Sequence, residues 1–290
     1  MKIPGVEIRR VASCRSTNSV LLEERAAFPV ALIAREQTAG RGRRGRRWHS
    51  APGEGVTFSF ARRIGRPPRE LAALSLAAGI AATRALRAHG VVRAALKWPN
   101  DLVVGDAKLG GILVETRAAG RHTLAVFGFG INGRGAGALA KRLRRRVACV
   151  EDFASSFDAD SLIEGIITAL VATTDVFEEH GFDALKTEWE AMHAHAGQRL
   201  RVRLADGRSI TGIAAGLHAL VALPSGEEEN KIIDRAARLG LALEGLSSYS
   251  ESPHHHDPAL VVGYGTPPDH SYTVAVARLC AALNDHVVDA

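Results

Sequence analysis

The sequence predicts a mixed chain of helices and strands, of the α+β or α/β class. Three observations predict it. Apolar runs of strand length at residues 30–34 and 55–60 are separated by polar, glycine-rich sequence. Longer stretches at 69–89 and 161–180 carry apolar residues at helical spacing. Between those helices, Gly105-Asp106 is a tight-turn dipeptide with apolar runs on both sides, which marks a hairpin.

The elements follow in order. Residues 6–12 read as a first strand. Ser16-Thr17-Asn18 then precedes Val20, Leu21 and Leu22, with Glu23 and Glu24 placed in the first turns, and so reads as a capped helix start. The strands at 30–34 and 55–60 come next. Arg66-Pro67-Pro68 introduces the 69–89 helix, whose many alanines and leucines leave little polar face and predict deep burial. Strands follow at about 102–104, 109–115 and 123–129, and helices at 161–180 and 182–195. Beyond His195 the pattern changes. Residues 198–204 alternate, Asp206-Gly207 supplies a turn and 209–214 returns, as in a hairpin of a small β-domain. A helix is expected from about 231, a strand at 259–263 and a closing helix at 274–284.

Composition narrows the class. The 290 residues are 46% hydrophobic and 23% charged, ordinary globular values that argue against wholesale disorder. No apolar run reaches the ~20 residues of a membrane-spanning helix, and the first residues lack the apolar core of a signal peptide. Cys14, Cys149 and Cys280 are odd in number and far apart, so neither a disulfide framework nor a metal spacing is expected, and a cytoplasmic location is. The net charge of +6 is concentrated in two places. Lys141, Arg142, Arg144, Arg145 and Arg146 read as a solvated face. Residues 41–47 hold five arginines interrupted by Gly42 and Gly45.

That first cluster belongs to the run 37–48 (QTAGRGRRGRRW). Glycines let a backbone turn tightly and approach a ligand. Backbone N–H groups cradle phosphate oxygens, and arginine adds a planar, permanently charged fork. A phosphoanhydride ligand and an arginine-glycine contact to nucleic acid both fit. Left-handed backbone is expected at Gly40 and Gly42, where alanine would be strained. The spacing is neither a P-loop nor a Gly-x-Gly-x-x-Gly fingerprint. Two further runs stand out: 97–102 (KWPNDL), followed by 108–115 (KLGGILVE), and 128–132 (GFGIN). Alternation places Ile112 and Val114 on one face of a strand and Leu113 and Glu115 on the other. Taken alone, Lys108 is an exposed turn lysine or a cation for a carboxylate or phosphate, and Asn100-Asp101 a turn cap or a ligand group.

Taken together and in this order, Ser16-Thr17-Asn18, Gln37 with the loop 40–45, and the KWPNDL, KLGGILVE and GFGIN runs resemble the biotin protein ligases over residues 9–195. The resemblance implies an α/β (α+β) fold with a mixed, largely antiparallel sheet flanked by helices, similar to class II aminoacyl-tRNA synthetases. It implies activation of biotin by ATP as biotinyl-5'-AMP, then transfer to one lysine of a biotin carboxyl carrier protein or domain, with Mg2+ accompanying the nucleotide. It places Ser16, Thr17 and Gln37 at the polar head of biotin, and Asn18 in the same ligand-binding motif. Arg41, Arg43, Gly40 and Gly42 would meet the tail and phosphate, and Lys108 the reacting carboxylate and α-phosphate. Asn100, Asp101 and Asn132 fall near the nucleotide or its metal. Trp48, Lys97, Gly110 and Gly111 lie in the same ligand-binding motifs. No resident metal site is implied.

The resemblance also sets boundaries. Ser16 lies too near the first residue for a preceding DNA-binding domain, so a ligase without repressor function is expected, with neither DNA nor membrane as partner. The family ends in a small β-barrel. Here 196–216 resembles a remnant of its opening hairpin, and the closing strands are not expected after about Gly216. Residues 217–290 resemble instead the end of an aminotransferase-like domain of GntR-class regulators, with no pyridoxal phosphate expected. The run His254-His255-His256 reads as a polar loop rather than a metal site. An enzyme that activates or transfers lipoate or octanoate on the same fold is the alternative, and a nucleic-acid module using the basic loop is a third reading. The latter leaves the KWPNDL and KLGGILVE runs unexplained.

Overall fold

The computed structural model describes residues 1–24, 29–49, 52–67, 70–71, 73–203, 209–215, 218–223, 228–245, 258–263, 278–279 and 281–283. The chain divides into two compact units, Met1–Ala194 and His195–Ala290.

In the first unit the strands are β1 (Glu7–Cys14), β2 (Val30–Gln37), β3 (Gly55–Ile64), β4 (Ala95–Lys97), β5 (Asp101–Val104), β6 (Ala107–Ala119) and β7 (His122–Asn132). The helices are α1 (Thr17–Glu23), α2 (Leu74–Ala88), α3 (Ala136–Leu143), α4 (Ala159–His180) and α5 (Asp183–Met192). The strands form one sheet in the order β1-β2-β3-β7-β6-β5-β4. β1 and β2 are parallel, and every other neighbouring pair is antiparallel. This is the mixed, largely antiparallel sheet flanked by helices that the motifs imply.

Alternation along β3 sorts the two faces. Ser59 meets Thr17 and Asn18 of α1, so odd-numbered positions face α1. Arg62 donates to Thr174 and Asp175 of α4, so even-numbered positions face the long helices. On that second face Phe58 stacks on Phe129 with centroids 4.9 Å apart, and Phe60 on Phe127 at 6.5 Å. These pairs are direct cross-strand neighbours in the β3–β7 register. α2 buries Leu74, Leu76, Ile80 and Leu86 and packs against α4 and α5, in line with its weak polar face. Truncating a buried phenylalanine of this kind costs about 3–5 kcal/mol. On the first face Leu21 of α1 is buried among Val30, Leu32, Ala61, Leu124 and Val126. α1 is thereby pinned with its N-terminus over the centre of the sheet.

Details differ from the sequence reading, beginning with the helix expected at 69–89, which starts only at Leu74. Ser16 occupies the N-cap position of α1, but its side chain makes no capping hydrogen bond, and Glu23 ends the helix instead of opening it. The three residues of β4 are too few to show a period, and the reading passes over them. α3 was likewise masked by charge: its sequence AGALAKRL runs into the second basic cluster, whose cations are exposed as a solvated face requires. Finally, strand β10 (His218–Ala222) stands where no further barrel strand is expected. Its central residues are consecutive apolars, which carry no alternation.

The second unit contains β8 (Arg199–Arg203), β9 (Ser209–Ala215), β10, α6 (Glu229–Arg238), β11 (Glu244–Gly245) and β12 (Ala259–Gly263). Its sheet order is β11-β12-β10-β9-β8, and all of its pairs are antiparallel. Leu223, Ile232, Ala236, Leu260, Leu279 and Ala282 form its core. The expected Asp206-Gly207 turn, the seam at 216–217, the triple histidine and Cys280 lie outside the described residues.

Candidate active site

The centre of the first sheet face is floored by bare backbone. Gly111 of β6 sits opposite Gly130 of β7, and Gly128 opposite Leu113. Each glycine makes room for a particular neighbour. A Cβ on Gly128 would collide with the Asn18 amide, and one on Gly130 with the Trp48 indole. One on Gly111 would stand 3.4 Å from Lys108 Nζ. Gly110 serves strand approach instead, since its Cβ would lie 2.7 Å from the Gly130 carbonyl oxygen. The floor is therefore walled by α1, by the loop after β2 and by the start of β6.

The α1 wall is a connected polar network, buried at Thr17, Asn18 and Ser59 and open to solvent at Arg41 and Glu115. The Thr17 N–H donates to Gln37 Oε1 at 2.7 Å, and Thr17 Oγ1 lies 3.1 Å from the same oxygen. Thr17 Oγ1 is 2.6 Å from Ser59 Oγ, which donates to Asn18 Oδ1 at 2.5 Å. Asn18 Nδ2 donates to the Leu113 carbonyl at 3.1 Å and to Glu115 Oε2 at 2.9 Å. Both oxygens of Glu115 accept from Arg41, at 3.0 and 2.9 Å. Ser16 is buried beside this network at the head of α1. Buried groups this well satisfied hold a fixed geometry.

The loop after β2 closes on itself. The Trp48 N–H donates to the Gly40 carbonyl at 2.9 Å, and the Gly42 N–H to the Arg46 carbonyl at 2.7 Å. Arg41 and Arg47 form an isolated bridge, and residues Arg43–Gly45 make a single 3-10 turn. The expected left-handed glycines are not the ones found. Gly42 has φ −121, and Gly40 has no positive φ; Gly45 carries it, at φ 70. Gly40 is constrained by crowding, because its Cβ would lie 2.8 Å from the Trp48 carbonyl oxygen. Trp48 Nε1 is a buried donor with no hydrogen-bond partner among the described residues.

The third wall carries the cation. Lys108 pairs with Asp101, and its Nζ lies 6.0 Å from the centroid of Trp48. Burial pushes the Lys108 ammonium below the ordinary lysine range, Asp101 opposes that shift, and the charges of Arg145 and Arg46 add to it. The backbone around it is clamped. The Lys108 N–H donates to the Arg146 carbonyl at 3.2 Å, and the Lys108 carbonyl accepts from Ala148 at 3.0 Å. Asn132 Nδ2 donates to the carbonyls of Lys108 and Ala148, both at 3.1 Å. Asn100 Nδ2 donates to the Ile112 carbonyl at 2.6 Å, while the Asn100 carbonyl accepts from Ile112 N–H at 2.9 Å. Both asparagine amides thus tie strands together here. Lys97 is exposed at the end of β4, opposite Asp101 in register.

The structure brings most of the predicted residues to one sheet face and adds several that sequence reasoning missed: Ser59, Glu115, Gly128, Arg46 and Arg145. Ser59 had a signal. The run 57–60 (TFSF) alternates hydroxyl and aromatic, and both parities are buried, so the hydroxyl face had to meet something polar. Glu115 closes the KLGGILVE run, whose alternation already set it apart from Ile112 and Val114. Arg145 is brought to Lys108 by the pairing of residues 146–148 with β6, for which the sequence carries no local mark.

Comparison with known proteins follows the same lines. The family model described as "Biotin/lipoate A/B protein ligase family" matches residues 1–132. The "Bifunctional ligase/repressor BirA" of Escherichia coli is 33% identical over 210 residues, 70% of this chain and 64% of that protein. The chain therefore spans slightly less than two thirds of that relative. The "Biotin--[acetyl-CoA-carboxylase] ligase" of Paracoccus denitrificans is 31% identical over 196 residues, 64% of this chain and 79% of that protein. Among solved structures, a biotin protein ligase from Aquifex aeolicus in complex with biotin and ATP superposes with a TM-score of 0.64 at 26% identity. That match covers 76% of this chain and 93% of that one.

Proposed function

The chain belongs to the biotin/lipoate A/B protein ligase family, and we propose that it is a biotin protein ligase, joining biotin to a lysine of a biotin carboxyl carrier domain at the expense of ATP. One observation carries the reading. The satisfied polar network of Gln37, Thr17, Ser59 and Asn18 and the buried ammonium of Lys108 border one glycine floor. A ligand with a polar head, a flat apolar body and an anionic tail fits that order of surfaces. Relatives from Paracoccus denitrificans and Mycobacterium tuberculosis carry the name biotin--[acetyl-CoA-carboxylase] ligase, which favours biotin over lipoate or octanoate.

The first step joins a biotin carboxylate oxygen to the α-phosphorus of ATP and releases pyrophosphate. Two anions must approach, and charge builds on the phosphoryl oxygens. Lys108 offsets that repulsion from a partly dehydrated position, where an ammonium acts more strongly than in water. Arg46, in the loop, and Arg145 bring further positive charge to the same lysine. In the second step the neutral amine of the carrier lysine attacks the acyl carbon. An amide forms, the proton leaves with solvent, and AMP departs. Water attacking the same carbon would waste the adenylate, so the covering of Gly130 by Trp48 and the loop has a chemical use.

A resident metal does not fit these residues. Among the described residues no three metal-ligating side chains cluster. Asp101, beside the Lys108 ammonium, would be one ligand for a Mg2+ brought by the nucleotide, and the ion would offset phosphate charge there. No helix among the described residues is long and apolar enough to cross a membrane, and we place the reaction in the cytoplasm, where the carboxylases it would serve reside. The test is mass spectrometry of a biotin carboxyl carrier domain after incubation with the chain, biotin and MgATP. Addition of one biotinyl group is expected. Modification by lipoate or octanoate in place of biotin would overturn the reading.

A further inference from the structure

We propose that Glu115 is a positioning residue that stations the arginine-glycine loop by holding Arg41 and Asn18 together. Its carboxylate sits on β6 opposite Val126 of β7, beyond the stretch of β6 that pairs with β5. It accepts twice from Arg41 and once from Asn18. Asn18 is buried and fixed from its other side by Ser59, and its amide occupies the space left by Gly128. An unbroken path of hydrogen bonds therefore runs from Gln37, where β2 ends, through Thr17, Ser59, Asn18 and Glu115, to Arg41, four residues further along the chain. Both ends of the first turn of the loop are tied to one network.

This assigns Arg41 a different task from the one its place in the motif implies. Both bonds leave from Nη2, so the carboxylate orients the guanidinium and offsets its charge, which weakens its pull on a second anion. Arg41 fastens the loop, and Arg46 further along it adds its charge beside Lys108. The loop depends on such a fastening because five arginines within seven residues repel one another. The glutamate offsets one of those charges at the start of the loop and gives the rest of it a fixed origin. Asn18 shares the same carboxylate, so the fastening and the polar end of the substrate floor keep one geometry.

Trypsin tests this without reference to activity, because the loop is rich in cleavage sites. In the full-length chain, cleavage after Arg43, Arg46 or Arg47 is followed by mass spectrometry for the wild type, Glu115→Gln, Arg41→Gln and the double variant. Glu115→Gln keeps the shape and removes the charge. Each single variant is expected to be cut up to about fivefold faster, the change that loss of a solvent-exposed ion pair supports. The double variant is expected to be cut no faster than either single one. Wild-type cleavage rates in Glu115→Gln, or effects that multiply in the double variant, would overturn the proposal. A second reading rests on the ligase function: KM for biotin in pyrophosphate release should rise about tenfold in Glu115→Gln with kcat nearly unchanged, as for a lost ground-state contact. A fall in kcat at unchanged KM would also overturn it. If the wild type releases no pyrophosphate, the ligase reading fails while the cleavage result still decides the role of Glu115.

Discussion

The Asn132 amide at the end of β7 is bonded to the main chain of Lys108, not to an open site: its Nδ2 donates to the Lys108 carbonyl at 3.1 Å and to that of Ala148 at the same distance. The lysine whose ammonium faces the glycine floor is thus held from behind by the last residue of the glycine-rich strand. Asn132→Ala leaves those carbonyls without this donor and should cost about 1–3 kcal/mol. Asn132→Asp should cost more, because it sets a carboxylate against two carbonyl oxygens. Thermal unfolding of the two variants gives the order. An unchanged melting temperature in both would remove the clamp from the account.

Lys108→Ala should lower adenylate formation by about 10²–10³, the usual cost of removing one group that meets developing negative charge. The fold should survive. The ammonium is held partly dehydrated, so its removal relieves an unfavourable burial even as it frees Asp101. Pyrophosphate release near the wild-type rate would take Lys108 out of the chemistry.

The same burial gives a pH signature. The folded chain releases the Lys108 proton at a lower pH than the ordinary lysine value of about 10.4. The cation is the working form, so kcat/KM should fall as pH rises, on a limb lying below that value. Stability moves the other way. Between the folded and unfolded pKa values the unfolded chain binds more protons, so this group's contribution increases as pH rises through the window and is lost as pH falls through the folded value. Lys108→Arg should remove the alkaline limb from whatever activity it retains. The same limb in that variant would assign it to another group.

The three loop glycines should separate by mechanism. Gly45→Ala forces a side chain into left-handed backbone, at about 1 kcal/mol or more. Gly40→Ala brings a methyl group to 2.8 Å from the Trp48 carbonyl and should displace Trp48 from Gly130. Gly42→Ala meets nothing closer than 3.5 Å and should leave the loop in place. Trp48 fluorescence and tryptic cleavage in the loop report the order, which fails if Gly42→Ala is the most disruptive of the three.

Much of this was legible in the sequence because it is written locally. Strands β2, β3, β6 and β7 show themselves as apolar runs, and α2 and α4 as long periodic stretches. The motif order brought Thr17, Asn18, Gln37, Trp48 and Lys108 to attention before any geometry. What was not legible depends on register. Ser59 becomes a site residue only when β3 lies under α1, and Glu115 only when Asn18 and Arg41, 23 residues apart in sequence (41 − 18), meet over β6. Asn100 and Asn132 look like ligand groups in a string of letters. Only the strand pairing shows carbonyls within reach of their amides. The glycine conformations in the loop were misplaced for a related reason, since spacing shows that a turn is needed but not which residue takes the positive φ.

Two truncations test where the catalytic unit stops. The chain divides at Ala194 and His195, whereas the resemblance of the tail to an aminotransferase-like end piece would set a seam near residue 216. A cut there runs through a sheet. β9 pairs with β10 from Ala215 opposite His218 to Gly212 opposite Val221, and β10 pairs in turn with β12. Removing residues 217–290 strips β9 of that neighbour and takes away the core made by Leu223, Ile232, Ala236, Leu260, Leu279 and Ala282. What is left, β8 and β9, is a two-stranded ribbon, which is marginal by itself and offers an open edge for association. The fragment 1–194 loses no strand of the seven-stranded sheet and none of the residues around the glycine floor. It should unfold cooperatively, stay monodisperse in light scattering and bind biotin in calorimetric titration. The fragment 1–216 should bind biotin too, but self-associate as its concentration rises. Equal monodispersity of the two fragments would show that β8 and β9 stand without β10. Failure of a folded 1–194 fragment to bind biotin would place part of the site in the C-terminal unit.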